Sequence, residues 1–295
     1  MASANGEVCA EVVPDLGGIV SSLILPGPEG PRECLYRHPW FWDPHASETR
    51  GGIPLLFPIC GRLFENGTPG LYHFDDQPFV LPIHGFAMRL PWMVLDSKQP
   101  DSLRLRLMDS AHTRTMYPFA FELDLLYSVS STGFSCRLTV TNTGDRSLPY
   151  AAGFHPYFAT PPAGAGKAQT TFEAFPESRW LYNENKTGVV DTAPPPSFPK
   201  SIADDDINGL LLEVGSQGNS CVRFPDGFEL HLRATGETDP ALFRYRQFYT
   251  RPDEPFFCDE PWMAPPGSLN RPGSARILEP GQSESGTIQI TVVPP

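Results

Sequence analysis

The segment Phe121–Asn142, FELDLLYSVSSTGFSCRLTVTN, decides the fold class. Leu123, Leu125, Tyr127 and Val129 recur at every second position, Ser131-Thr132-Gly133 supplies turn residues, and Phe134, Cys136, Leu138 and Val140 resume the same spacing. Successive side chains of an extended chain point to opposite faces, so this period buries one face of each arm and does not fit a helix. It predicts an antiparallel hairpin. Upstream, Leu103-Arg104-Leu105-Arg106-Leu107 alternates in the same way. Downstream, Val222 and Phe224 lead through Pro225-Asp226-Gly227 to Phe228, Leu230 and Leu232, a second hairpin, and Thr287–Val292 alternates as a last strand.

Helix signals are weak by comparison. The 34 prolines and 26 glycines make up about one in five of the 295 residues, and both disfavour helix interiors. No window of about a dozen residues sustains an apolar helical stripe, and candidates such as Phe172–Tyr182 are short. Thr160–Lys167 and Asp191–Lys200, the latter with Pro194-Pro195-Pro196, read as surface loops rather than linkers, because composition does not change across them. No fixed-period repeat argues for a propeller or solenoid. Residues 1–295 therefore read as one all-β domain, a large antiparallel β-sandwich with few short helices.

Hydrophobic residues at 40% are enough for a core. A formal charge of −12, with no lysine/arginine-rich run to offset it, opposes nucleic-acid phosphates and anionic lipid, so neither nucleic acid nor membrane is an expected partner. Apolar stretches such as Ile53–Ile59 fall far short of the roughly 20 residues that cross a bilayer. Met1–Val13 carries Glu7 and Glu11 and lacks a basic segment ahead of an apolar one, as a secretion signal would have. The six cysteines lie far apart, without a zinc-type Cys/His spacing, and are expected as free, mostly buried thiols in a reducing cytoplasm, with no metal.

Four stretches place titratable residues in apolar, turn-rich surroundings: Arg50–Arg62 (RGGIPLLFPICGR), Pro82–Ala87 (PIHGFA), Gly153–Phe158 (GFHPYF) and Phe256–Trp262 (FFCDEPW). Alternation turns His155 and Tyr157 away from Phe154 and Phe158, while Pro156, which cannot donate to a ladder, implies an edge or bulge. In the last stretch Glu260 shares a face with Phe256, Cys258 and Trp262, so desolvation is expected to raise its pKa towards neutrality, where a general base is useful. Each residue also has a structural reading: a satisfied core histidine for His155 or His84, a turn residue for Arg62, a loop glutamate for Glu260, a core aromatic for Trp262. Cys60 and Cys258 adjoin the motifs, but nothing beside them would clearly depress a thiol pKa. His38, His45, His73, His112 and His231 lack such settings and read as structural or surface residues.

Taken in order, the four stretches resemble the aldose 1-epimerase family, including its galactose mutarotase and hexose-6-phosphate epimerase branches. Val13-Pro14-Asp15-Leu16-Gly17-Gly18 is similar to the family's opening strand and glycine turn. Arg50–Pro54, Phe57-Pro58 and His84–Ala87 resemble its first substrate-facing region, Gly153–Phe158 its most recognisable motif, and Glu260-Pro261-Trp262 with Leu269-Asn270 its C-terminal acidic motif. The resemblance implies a galactose mutarotase-like supersandwich and a reaction that interconverts sugar anomers. A base takes the anomeric hydroxyl proton while an acid protonates the ring oxygen, the hemiacetal opens, and the aldehyde rotates and recloses. It implies Glu260 as base and His155 as acid in the opening direction, with Arg62 and His84 holding sugar oxygens. It further implies a substrate-binding aspartate, taken as Asp206 from the run Asp204-Asp205-Asp206, and Trp262 stacked on a sugar face. That chemistry requires no cofactor and no metal.

The stretches around Cys60 and Cys258 depart from the phosphate-sugar branch, and the net charge favours a neutral sugar, although Arg50, Arg89 and Arg251 could assemble a phosphate-binding cluster. Three functions follow: an epimerase of a free hexose, a glucose-6-phosphate 1-epimerase-type enzyme, or a non-catalytic carbohydrate-binding or regulatory protein. An acid/base pair argues against the last, since binding alone does not need one.

Overall fold

The hairpin read from Phe121–Asn142 forms as strands Phe121–Ser130 and Gly133–Asn142, in continuous register from Ser130 opposite Gly133 to Phe121 opposite Asn142. In the computed structural model, which describes residues 1–293 apart from 44, 47–49, 97, 163, 185 and 217, this hairpin lies within a nine-stranded antiparallel sheet. Its order is Lys200–Ser201, Thr171–Ala174, Asn219–Arg223, Glu229–Gly236, Ser283–Val292, Gly133–Asn142, Phe121–Ser130, Ser102–Met108 and Met93–Asp96. The alternating Leu103–Leu107, the second hairpin and the C-terminal strand are thus all members of this sheet.

A second, eight-stranded sheet runs Val189–Ala193, Ser178–Tyr182, Leu211–Glu213, Tyr245–Thr250, Phe256–Trp262, Gly153–Phe154 and Leu55–Leu56, with Tyr157–Ala159 also paired to Phe256–Trp262. The two sheets pack face to face. Phe172 of the first lies 4.8 Å from Phe248 and 5.0 Å from Phe257 of the second, ring centre to ring centre. Such contacts bury the alternate positions that the sequence marks as apolar.

Among the described residues α-helix is confined to Ala111–Arg114 and Ala165–Gln169. The second helix corrects the expectation of a surface loop over Thr160–Lys167. Lys167 is buried there, and its ammonium donates to the carbonyls of Arg251 (2.5 Å) and Glu254 (2.7 Å), which replace its water. The other expected loop is also part strand, because Asp191–Ala193 belongs to Val189–Ala193. Phe172–Tyr182, considered above as a helix candidate, divides between the two sheets. All six cysteines are free, and five are buried. No helix among the described residues is long and apolar enough to cross a membrane.

One interior contact fixes the strand that matters most. Arg246 and Asp259 point into the sandwich, each about 1% exposed, and meet at 2.9 Å. The guanidinium also donates to the Gly218 carbonyl (2.5 Å), and the Ser220 hydroxyl donates to the Asp259 carboxylate. Those partners belong to the opposite sheet or its hairpin, so the ion pair ties the sheets together directly behind Glu260. Removing one member leaves the other charge buried and uncompensated. Asp259→Ala should therefore lower unfolding free energy by about 3–5 kcal/mol in denaturant titration, whereas the double replacement Arg246→Met/Asp259→Leu should cost much less.

Candidate active site

Interior-facing Phe257 and Asp259 alternate with Cys258, Glu260 and Trp262, which emerge on the outer face of the eight-stranded sheet, as alternation in the sequence requires. The neighbouring strand is interrupted at His155-Pro156, where proline cannot continue the ladder. Register survives the interruption: Gly153 pairs with Trp262 before it and Tyr157 with Cys258 after it. His155 therefore stands directly opposite Glu260, with Nε2 3.3 Å from the carboxylate Oε1. Gln247 is the cross-strand neighbour of Glu260 on its other side. The His155 amide donates to the Pro54 carbonyl at 3.0 Å, and its ring stacks on Tyr157 at 4.5 Å and 4°, so backbone and ring plane are both fixed.

These residues floor a cavity of about 460 Å³, whose lining also includes Arg50, Arg62, His84, Arg89, Tyr182, Lys186, Asn208, Tyr249, Arg251 and Trp262. A neighbouring cavity of about 760 Å³ shares Arg62 and Ile83, but its other lining residues carry no titratable group. The cavity thus brings Glu260, His155, Arg62, His84 and Trp262 together. It does not bring in Asp206, which is exposed and paired with Lys200 at 3.1 Å; Asn208, two residues on, reaches the cavity instead. In a run of three aspartates beside a lysine, the ion pair and not the cavity claims the side chain. Sequence reasoning missed Gln247, Tyr182, Lys186 and Asn208, of which only Gln247 carried a signal, being flanked at alternate positions by Tyr245 and Tyr249.

Burial dominates the electrostatics of the floor. It pushes the Glu260 carboxyl well above the ordinary carboxylate range; the Trp262 indole N–H draws it partway back without reaching hydrogen-bond geometry, and Asp259 adds to the rise. Burial drives the His155 imidazole well below its ordinary value, and nearby His84 adds to that drop. Both directions favour the uncharged forms, a protonated carboxyl beside a neutral imidazole. Glu260 Oε2 and His155 Nδ1 have no protein partner, which leaves lone-pair and proton capacity for a ligand.

His84 is held by reciprocal contacts. Its amide donates to the Gly61 carbonyl at 2.8 Å, and its Nδ1 accepts from the Gly61 amide at 3.1 Å. The turn needs left-handed backbone at His84 (φ +62°) and at Gly85, where a Cβ would lie 2.1 Å from the Phe57 carbonyl oxygen. Desolvation first, then Arg62 and Arg89, lowers the His84 pKa to about 3, so the ring is neutral. With Nδ1 accepting, the proton resides on Nε2, a donor for a ligand oxygen. Trp262 lines the cavity while packing on Leu56, Cys60 and Met88, so it serves core and cavity at once. Burial pushes the Cys60 and Cys258 thiols well up, which suits inert thiols. Cys258, His155 and Glu260 also lie close enough to share a metal ion, which would occupy the lone pairs that proton transfer uses.

This two-sheet antiparallel sandwich, with a carboxyl and an imidazole paired across strands on the floor of an outer-face cavity, is of the galactose mutarotase-like class. The profile of the aldose 1-epimerase family fits residues 3–291, and the chain belongs to that family. The chromosomal protein LacX of Lactococcus lactis is 29% identical over 126 residues, so the match spans 41% of each chain. Slr1438 from Synechocystis sp. superposes with a TM-score of 0.81 at 28% identity over 97% of this chain and 92% of that one. A galactose mutarotase related enzyme from Lactobacillus acidophilus gives 0.82 at 21% identity, covering 100% of this chain and 97% of the other.

Infrared difference spectroscopy should detect a protonated carboxyl band, absent from Glu260→Gln, that persists well above the ordinary carboxylate range. In ¹⁵N-histidine NMR His84 should remain a neutral Nε2–H tautomer between about pH 5 and 8. A His84 imidazolium signal in that range would sink the assignment.

Proposed function

We propose that the protein is an aldose 1-epimerase that interconverts the α and β anomers of a hexose, with Glu260 and His155 as its acid/base pair. The observation that carries this reading is the 3.3 Å separation of a carboxyl and an imidazole whose burial favours the uncharged form of each. Opening a hemiacetal requires one group to accept the O1 proton while another donates to the ring oxygen, two atoms attached to the same carbon. A close pair with one proton meets both needs without net charge. Sugar hydroxyls would solvate a carboxylate, drawing the proton onto the imidazole and setting Glu260 as base and His155 as acid. Ring opening then returns the proton to the carboxyl side, and reclosure on the other face of the aldehyde reverses the transfer. Arg62 and His84 hold sugar oxygens, and Trp262 supplies an apolar wall. Residues 1–295 act as one domain in this reading, and the free thiols fit a cytoplasmic setting.

Polarimetry of freshly dissolved α-glucose and α-galactose tests the activity. Glu260→Gln should lower kcat by about 10²–10⁴-fold with little change in sugar affinity. Unaccelerated equilibration of every sugar tried, beside measurable binding, would instead favour a non-catalytic carbohydrate-binding protein. The pH profile follows from the single proton. Below the depressed pKa of His155 both groups are protonated and no base remains; above the raised pKa of Glu260 both are deprotonated and no acid remains. The rate should therefore follow a bell, with an acid limb below the ordinary imidazole value and an alkaline limb above the ordinary carboxylate value.

A second reading, a hexose 6-phosphate as substrate, is favoured by the cations at the cavity mouth. Arg50 and Arg251 are engaged by Glu254 at 3.3 and 3.2 Å, but Arg62, Arg89 and Lys186 have no carboxylate partner among the described residues. Unpaired cations around a cavity raise the local concentration of an anionic ligand even on an acidic protein. Under this reading Arg89→Ala and Lys186→Ala should each raise KM for glucose 6-phosphate on the order of tenfold while leaving KM for glucose unchanged. Equal KM values for the two sugars in all variants would eliminate it.

A further inference from the structure

The outer face of the nine-stranded sheet carries a cluster that epimerisation does not use. The Ser220 hydroxyl points inward to Asp259 and the Leu232 side chain is buried in the core, so their neighbours Cys221 and His231 point outward, and the register sets those two directly opposite each other. Glu229, two residues before His231, is on the same outward face. Its Oε2 lies 3.8 Å from the Cys221 sulfur and 3.4 Å from His231 Nε2, and sulfur and nitrogen are 3.8 Å apart.

We propose that Cys221, Glu229 and His231 form a zinc-binding site with a fourth coordination position open to solvent or an exchangeable ligand. Metal–ligand lengths near 2.3 Å for sulfur and about 2.0–2.2 Å for nitrogen and oxygen set the ligand atoms of a tetrahedral zinc ion roughly 3.3–3.6 Å apart. The three separations in the sheet lie within a few tenths of an ångström of those edges, so the ion could enter with small side-chain adjustments. A thiolate, an imidazole and a carboxylate together suit zinc and not magnesium or calcium, which take oxygen ligands. The surroundings orient the donors. Arg223 donates to Glu229 Oε1 at 3.1 Å, which leaves Oε2 turned to the other two ligands, and anchors on Glu173 of the next strand at 2.8 Å. Cys221 is 6% exposed, while the Glu229 and His231 side chains are 36% and 38% exposed, so the sulfur forms the floor and the entry path is open.

Before metal arrives the thiol keeps its proton. Burial, with help from Glu229 and Glu173 and against the pull of Arg223, pushes its pKa up to about 11, so binding must release that proton. The site escaped the sequence because no sequential motif encodes it; only strand pairing joins position 221 to 229 and 231.

Chelator-treated full-length protein titrated with Co²⁺ should develop a thiolate-to-cobalt charge-transfer band that saturates at one equivalent, is displaced by Zn²⁺, and accompanies a rise in Tm. Cys221→Ser should abolish the band, and His231→Gln should weaken binding by more than about tenfold, the effect of losing even an outer partner of a metal site. Cys258→Ser, which removes the other thiol lying beside a histidine and a glutamate, should keep the band. A protein that develops no band, or a band that survives both Cys221→Ser and His231→Gln, overturns the proposal.

Discussion

Two adjacent carboxylates, Asp259 and Glu260, leave the same strand on opposite sides, and the chemistry of the cavity depends on which goes where. A slip of one residue would exchange them. The slip is blocked because Asp259 is bound inside the sandwich by Arg246 and Ser220, a site that fits a carboxylate of that reach and direction. Glu260 is thereby committed to the outer face, where the broken strand opposite presents His155. The interior ion pair is a poor source of net stability, since desolvation offsets most of its attraction. Its contribution is to strand register.

The cavity divides electrically into a floor and a rim. On the floor, desolvation favours the neutral forms of Glu260, His155 and His84. On the rim stand the exposed side chains of Arg62, Arg89 and Lys186, and Arg62 and Arg89 add to the drop in the His84 pKa. Glu254 gathers Arg50 and Arg251 at one edge of the same rim, and Lys167 secures the backbone there by bonding the carbonyls of Arg251 and Glu254.

Much of this was legible in the sequence because the signals are local. The hairpin at Phe121–Asn142, the strand at Phe256–Trp262 and the shared face of Cys258, Glu260 and Trp262 all follow from period-two alternation, which tertiary context did not override. Proline at 156 marked a break in the ladder, but the break is an interruption between two strands that keep one register, not the expected edge or bulge. What stayed hidden was long-range or loop-borne. That His155 falls opposite Glu260 depends on a register between strands about a hundred residues apart, and no local pattern encodes it. Asn208 and Lys186 reach the cavity from connecting segments whose paths are set by what they pack on. The short helix Ala165–Gln169 escaped because so few residues cannot show a helical period, and its buried lysine looked like a surface residue until its carbonyl partners were in place.

The clamp between Gly61 and His84 bears on selectivity. A histidine fixed as an Nε2–H donor demands a lone pair from whatever it meets. A hydroxyl offers one, whereas an ammonium offers none and would also face the guanidinium groups of Arg62 and Arg89. Under the proposed function, an amino sugar presenting its nitrogen at that position would set donor against donor and cation against cation, and the backbone turn at residues 84 and 85 would screen ligands by the element they carry as well as by their shape.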